Sequence, residues 1–164
     1  MNEGAMQERI VLCRTLDEIQ ALLERFHMVL PSLKRGKAFR AAMAEKFFQH
    51  GKVVFIPEDG RAVGFAAFYC NDHVERKGYL SMIAVYPDMQ GNGCGKELLT
   101  YVEHTAKDCG MRTVWLEVSK ANGSARSFYR KNGYVPVEMR PESMICAKKL
   151  ENASDEWTED THDV

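Results

Sequence analysis

Residues 90–96 read Gln-Gly-Asn-Gly-Cys-Gly-Lys, a composition that suits binding of a phosphate group. Glycines let the backbone approach a ligand closely, and the amides at the start of the following helix favour an anion. A flexible turn is the alternative for such a cluster. Spacing excludes two common phosphate motifs: the P-loop needs one more residue before its second glycine, and the dinucleotide fingerprint needs glycine in place of Lys96.

The cysteines and histidines predict neither a metal site nor a covalent intermediate. The five cysteines are odd in number and no pair has C-x-x-C spacing, so we expect reduced thiols. His73-x-Glu75 is not followed by the second half of a deaminase metal motif. Cys94 could act as a nucleophile, but the glycine cluster has no neighbouring histidine, so we interpret Cys94 as a packing residue or as one without a specific role.

The elements that position these residues follow from periodicity. Apolar residues recur at helical spacing in two segments before residue 50 and again over residues 96–109, and β-rich runs with turn signals fill most of the remainder. The predicted order is β-α-α-β-β-β-α-β-α-β-β. It mixes antiparallel hairpins with one strand–helix–strand crossover, which predicts an α/β (α+β) fold with a mixed sheet of six to seven strands and helices on both faces.

Two blocks in this order resemble a known family. The run Tyr79–Val85, followed by Tyr86-Pro87-Asp88 and by Gln90-x-x-Gly93-x-Gly95, is similar to the acyl-CoA motif of the GNAT superfamily of acyl-CoA-dependent N-acetyltransferases. The segment 116–134, LEVSKANGSARSFYRKNGY, resembles the next segment of that superfamily. The order of elements extends the resemblance over residues 8–150, the predicted acetyltransferase domain.

The resemblance implies where acetyl-CoA, the expected co-substrate, would bind. Backbone amides of the glycine cluster would hold the pyrophosphate. The family's parallel strands 4 and 5, here 78–85 and 113–118, would splay apart so that pantetheine lies in the gap. Asn122 matches a position that commonly contacts pantetheine, and its alternative role is to cap the next helix. No metal is expected, and the implied cofactor-binding residues are Ile83, Ala84, Val85, Gln90, Gly91, Asn92, Gly93, Cys94, Gly95, Lys96 and Asn122.

The resemblance also implies a catalytic pair. Tyr129 matches the position whose phenol, with a pKa of ~10, protonates the departing thiolate of pKa ~8.5. Glu117 precedes it by twelve residues, a spacing similar to that of base and acid in the branch that acetylates ribosomal-protein N-termini. Glu75 and Ser81 are other candidates for the base. The alternatives are a salt-bridged structural role for Glu117 and aromatic packing for Tyr129.

The charge is distributed unevenly along the chain. The net charge of −1 combines residues 1–150, with 22 basic and 17 acidic side chains, and an acidic tail, residues 151–164, with six acidic side chains. The basic part suits an anionic ligand but is too weakly charged for a dedicated nucleic-acid binder. With the acceptor site that the resemblance implies, this charge predicts an amine on an anionic acceptor, bound near a basic rim, and the alternative is an ordinary solvated surface. The candidate rim residues are Lys34, Arg35, Lys37, Arg76, Lys77 and Arg140.

We therefore predict an N-acetyltransferase that moves the acetyl group of acetyl-CoA directly to a primary amine of a small molecule or of a peptide or protein N-terminus. The alternative is a non-catalytic acyl-CoA-binding sensor or interaction module on the same fold. We expect no nucleic acid or membrane partner. Many relatives of this fold form dimers, so a homodimer is one expected oligomeric state. Because no apolar run of ~18 residues and no signal peptide is evident, the expected location is cytoplasmic.

Overall fold

The computed structural model describes residues 9–151, so all but Glu151 of the predicted acidic tail lies outside the described residues. The strands are β1 (Val11–Leu12), β2 (Lys52–Glu58), β3 (Arg61–Asp72), β4 (Lys77–Val85), β5 (Thr113–Ser119), β6 (Val135–Met139) and β7 (Ser143–Lys149). The α-helices are α1 (Leu16–Phe26), α2 (Lys37–His50), α3 (Cys94–Asp108) and α4 (Gly123–Lys131). None of the helices between residues 9 and 151 is long and apolar enough to cross a membrane.

The seven strands described form one mixed sheet, as the sequence predicted, and their order in the sheet is β1-β2-β3-β4-β5-β7-β6. The β4–β5 pair is parallel, and the other neighbouring pairs are antiparallel. The β2–β3 hairpin turns at Asp59 and Gly60, whose φ angles of 52° and 78° are those of a type I′ turn. Such a turn matches the twist of the two strands and fixes their register.

Helices cover both faces of the sheet and form two separate cores. On one face, which we call the α3 face, Leu98 of α3 packs with Leu116 of β5, and α4 adds to the same core. On the other, which we call the α1 face, Leu23 and Phe47 of α1 and α2 pack against Phe65 of β3. The fold class predicted from the element order is therefore confirmed.

The parallel strands β4 and β5 separate halfway along their length, as the resemblance implied. They pair from Lys77 and Thr113 as far as Leu80 and Leu116. Beyond Leu80, β4 has no strand partner on that side among residues 9–151, although it runs on to Val85. The backbone of the last part of β4 therefore faces a gap in the sheet.

A β-bulge lies where the two strands begin to separate. Leu80 pairs with Phe68 and Met82 pairs with Ala67, so Ser81 has no partner on β3. The extra residue reverses the alternation of side chains along β4. Leu80 consequently packs in the α3-face core, whereas Met82 packs in the α1-face core.

Candidate active site

The glycine cluster forms the turn into α3. The helix begins at Cys94, two residues before the predicted start, so Gly95 and Lys96 lie in its first turn. Gly91 and Gly93 adopt φ angles of 86° and 84°, a region that favours glycine, and an added Cβ at either would meet no atom within 4 Å. No side chain of the described residues caps the helix at Gly93. An uncapped helix N-terminus facing open space fits a pyrophosphate group.

Two side chains of the cluster contact the protein itself. Gln90 donates a hydrogen bond through Nε2 to the backbone oxygen of Val85, at 3.0 Å, and so ties the turn to the end of β4. Cys94 is buried in the α3-face core, and its burial raises the pKa of its thiol. A buried, protonated thiol is a poor nucleophile. This environment supports the interpretation of Cys94 as a packing residue.

Asn122 is the N-cap of α4, and Tyr129 lies within this helix. The Asn122 Oδ1 atom accepts a hydrogen bond from the backbone N–H of Ala125 at 3.0 Å, so the capping role is present, and the pantetheine contact stays a prediction. Tyr129 is 9% exposed, and its ring packs edge-on against Phe128 and Tyr134 with centroids 5.4 and 5.8 Å apart. Burial raises the pKa of Tyr129 to about 12.

Glu117 lies on the opposite face of the sheet from Tyr129. Its neighbours Leu116 and Val118 are buried in the α3-face core, so alternation directs Glu117 to the α1 face. Its Oε2 accepts a hydrogen bond from Ser143 Oγ at 2.5 Å and lies 3.3 Å from Arg140 Nη1. The structural alternative, a salt-bridged glutamate, is therefore present. Among residues 9–151 the Oε1 atom has no hydrogen-bond partner.

An open cleft of about 350 Å³ surrounds Glu117 on the α1 face. Its aromatic walls are Tyr69, Tyr79 and Trp115. The Tyr69 hydroxyl is buried and has no hydrogen-bond partner among the described residues. Burial first, and the neighbouring Glu117 second, raise the pKa of Tyr79. A half-buried, aromatic-walled cleft beside a carboxylate can receive an amine-bearing molecule.

The charges of this cleft differ from the basic rim that the sequence led us to expect. Of the six candidates, Lys77 and Arg140 line the cleft, and Arg76 instead donates a hydrogen bond from its side chain to the Gly110 oxygen at 2.9 Å. Carboxylates in the same lining offset the charge of these two cations, so the net charge of the lining is close to zero. The charged side chains of the lining are Asp72, Lys77, Glu117, Glu138 and Arg140.

Neither of the other candidates for the base, Glu75 and Ser81, lines the cleft. The Glu75 carboxylate pairs with Lys77 at 3.0 Å. Ser81 is the bulged residue of β4. Ser143 and Glu138 were not predicted from the sequence; the pairing of β5 with β7 and of β7 with β6 brings them beside Glu117. No local pattern predicts such a register.

Residues 16–134 match the profile of the Acetyltransferase (GNAT) family. The chain belongs to this family. Over 83 residues this GNAT chain is 39% identical to the [ribosomal protein bS18]-alanine N-acetyltransferase of Haemophilus influenzae, a stretch covering 51% of this chain and 54% of that protein. It is 27% identical over 141 residues to the amino-acid acetyltransferase of Salmonella typhi, covering 84% of this chain and 29% of that one. The chain thus spans about half of the first relative and less than a third of the second.

Solved GNAT structures share the fold. The ribosomal-protein-S18-alanine N-acetyltransferase from Escherichia coli superposes with a TM-score of 0.69 and 18% identity, covering 89% of this chain and 97% of that one. The paia N-acetyltransferase from Thermoplasma acidophilum, in complex with coenzyme A, gives a TM-score of 0.63 and 18% identity, covering 85% of this chain and 98% of that one. At these identities the likeness establishes the architecture.

Proposed function

We propose that this chain transfers an acetyl group from acetyl-CoA directly to the primary amine of a small molecule or of a peptide or protein N-terminus. The observation that carries the proposal is the separation of β4 from β5 beyond Leu80, beside the uncapped glycine turn that begins α3. Membership of the GNAT family and the named activities of both relatives support it. Acetyl-CoA, when bound, supplies the activated thioester.

The cofactor would bind along the α3 side of the gap. Backbone groups of Ile83, Ala84 and Val85 would bond pantetheine as though it were an added strand, because that part of β4 has no partner there among the described residues. The amides of residues 90–96 would hold the pyrophosphate at the start of α3. Asn122, at the start of α4, would contact pantetheine with the side-chain amide that its capping bond leaves available.

Tyr129 and Glu117 would act on the reaction from opposite faces of the sheet. The raised pKa of Tyr129 keeps its phenol protonated at neutral pH, and we propose that the thiolate takes this proton as it departs. Glu117 would accept the amine proton through Oε1, the oxygen that no described residue occupies. A thioester in the gap would then lie between an acid on the α3 face and an amine entering from the α1 face.

An α-amine is the acceptor group that this site suits best. At neutral pH an α-amine of pKa ~8 is neutral roughly 250 times more often than a lysine side chain of pKa ~10.4, so it needs less help from the base. Both relatives carry names that imply α-amine acceptors, alanine of a ribosomal protein in one case and an amino acid in the other. The nearly neutral cleft favours neither a polyamine nor a highly anionic acceptor.

Calorimetry and an amine panel test the proposal. We expect acetyl-CoA to bind at submillimolar concentration and thiol release to be stimulated by free amino acids or an alanyl peptide more than by an Nα-blocked lysine. Mass spectrometry of the product should show one added acetyl group. Absence of coenzyme A binding at millimolar concentration would contradict the proposal at its first step.

The same experiment decides the alternative, a non-catalytic acyl-CoA sensor. That alternative predicts binding of acetyl-CoA without thiol release for any amine, and the presence of both Tyr129 and Glu117 argues against it. The homodimer and the cytoplasmic location stay predictions.

A further inference from the structure

Two carboxylates share the guanidinium of Arg140. Arg140 Nε lies 2.7 Å from Glu138 Oε2, and Arg140 Nη1 lies 3.3 Å from Glu117 Oε2. The turn between β6 and β7 holds this arrangement, because the Arg140 backbone N–H donates to the Ser143 oxygen at 2.9 Å. The shorter contact is therefore made with Glu138, which is not the proposed base.

Because Arg140 is shared between Glu138 and Glu117, it binds only one of the two carboxylate oxygens of Glu117. Arginine and a carboxylate prefer a bidentate pair, in which two N–H groups bind both oxygens. Here Arg140 presents only Nη1 to Glu117, and the Ser143 hydroxyl binds the same Oε2 atom. An Arg140 released from Glu138 could rotate to bind both oxygens of Glu117 and cover the proton-accepting Oε1.

We propose that Glu138 is a positioning residue that holds Arg140 away from a bidentate pair with Glu117 and so keeps Glu117 Oε1 available to the amine. The role of Glu117 as base, on which this inference builds, rests on the proposed function. Glu138 itself touches neither the amine nor the thioester.

Other polar and titratable groups surround Glu117. Tyr79 faces it from β4, Ser143 contacts it from β7, and Asp72 and Lys77 stand at the far end of the cleft. Lys77 is engaged there, with its Nζ 3.0 Å from Glu75 and 4.1 Å from the Trp115 ring centre. Arg140 is thus the cation through which Glu138 can act on Glu117.

A double-substitution experiment tests the inference without depending on activity. The titration midpoint of the Glu117 carboxyl carbon is followed by NMR in Glu138→Gln, Arg140→Met and the double variant. Because exposed ion pairs contribute modestly, we expect the midpoint to fall by about half a pH unit in Glu138→Gln and to rise by a similar amount in Arg140→Met. In the Arg140→Met background, Glu138→Gln should have little further effect.

The control is Glu142→Gln, which removes the same charge from the turn that follows β6, outside the cleft lining, and should leave the midpoint unchanged. The inference would be overturned if Glu138→Gln shifted the Glu117 midpoint equally in the wild-type and Arg140→Met backgrounds. Glu138 would then act on the Glu117 carboxylate by direct charge repulsion and not through Arg140. No shift in either background would overturn it as well.

Kinetics separate this inference from the proposed function. With the preferred amine, kcat/KM should fall about threefold to tenfold in Glu138→Gln while the Kd for acetyl-CoA stays the same. A wild-type chain that acetylates no amine, yet shows the NMR shifts, would refute the proposed function and leave the positioning effect standing. An active chain without the shifts would refute the positioning effect alone.

Discussion

At the scale of single residues, burial decides what Tyr129 can do. Its ring packs between two aromatic neighbours, which is the structural alternative that the sequence left open. The same burial raises its pKa to about 12, so the phenol keeps its proton at any pH at which the protein would work. Packing and proton donation are therefore compatible roles for this one side chain.

Tyr129→Phe separates these two roles. The variant keeps the ring contacts and loses the hydroxyl, so we expect kcat to fall about tenfold to a hundredfold while the Kd for acetyl-CoA is unchanged. Steady-state kinetics and calorimetry measure the two quantities. Tyr134→Phe is the matched control: its hydroxyl donates to Glu103 at 2.8 Å, so its loss should lower stability and leave kcat unchanged. An unchanged kcat in Tyr129→Phe, with chemistry shown to limit the rate, would remove Tyr129 from the acid role.

At the scale of elements, features set by neighbouring residues could be predicted from the sequence, whereas features set by the register between strands could not. The Asp59-Gly60 turn and the helix ends at Gly110 and Gly133 depend on residue type alone, because Asp-Gly favours a hairpin turn and glycine tolerates the positive φ angles found there. The bulge at Ser81 escaped prediction because β4 reads as a regular run, and only its pairing with β3 reveals the extra residue. The bonds of Glu117 to Ser143 and Arg140 also required the order in which β5, β7 and β6 pair.

The turn into α3 gives a prediction for a whole element. Gly93→Ala places a side chain at a φ angle of 84° with no steric neighbour, so the cost is backbone strain of about 1–2 kcal/mol. Because relief of the strain would reorient the amides that begin α3, we expect the Kd for coenzyme A to rise about tenfold. Calorimetry measures the affinity, and urea denaturation measures the stability.

Gly60→Ala is the matched control for the turn. Gly60 has a φ angle of 78° and equally open surroundings, but it lies in the β2–β3 turn. Its substitution should lower the free energy of unfolding by a similar amount and leave the affinity for coenzyme A unchanged. Equal effects of the two variants on affinity would argue against a specific role of the α3 turn.

At the scale of the whole molecule, each face of the sheet has its own core, and each core buries cysteine. Cys13 lies in the α1-face core and Cys70 in the α3-face core. Burial raises the pKa of both thiols from 9.0 to about 12. The neutral thiol is therefore favoured in the folded chain on both sides of the sheet.

The two thiols make stability depend on pH in the alkaline range. Below pH 9 the folded and unfolded chains both hold these protons, so the full contribution to stability is present. As the pH rises from 9 towards 12, the unfolded chain releases protons that the folded chain retains, and the free energy of unfolding falls by about 1 kcal/mol per pH unit for each thiol. Cys13→Ala should lower the free energy of unfolding at about pH 8, because it leaves a small cavity. Between about pH 8 and about pH 10, however, the variant should lose less stability than the wild type, because one titrating thiol is gone. Urea denaturation under reducing conditions at both pH values measures this difference, and parallel losses in the variant and the wild type would show that the Cys13 thiol does not contribute.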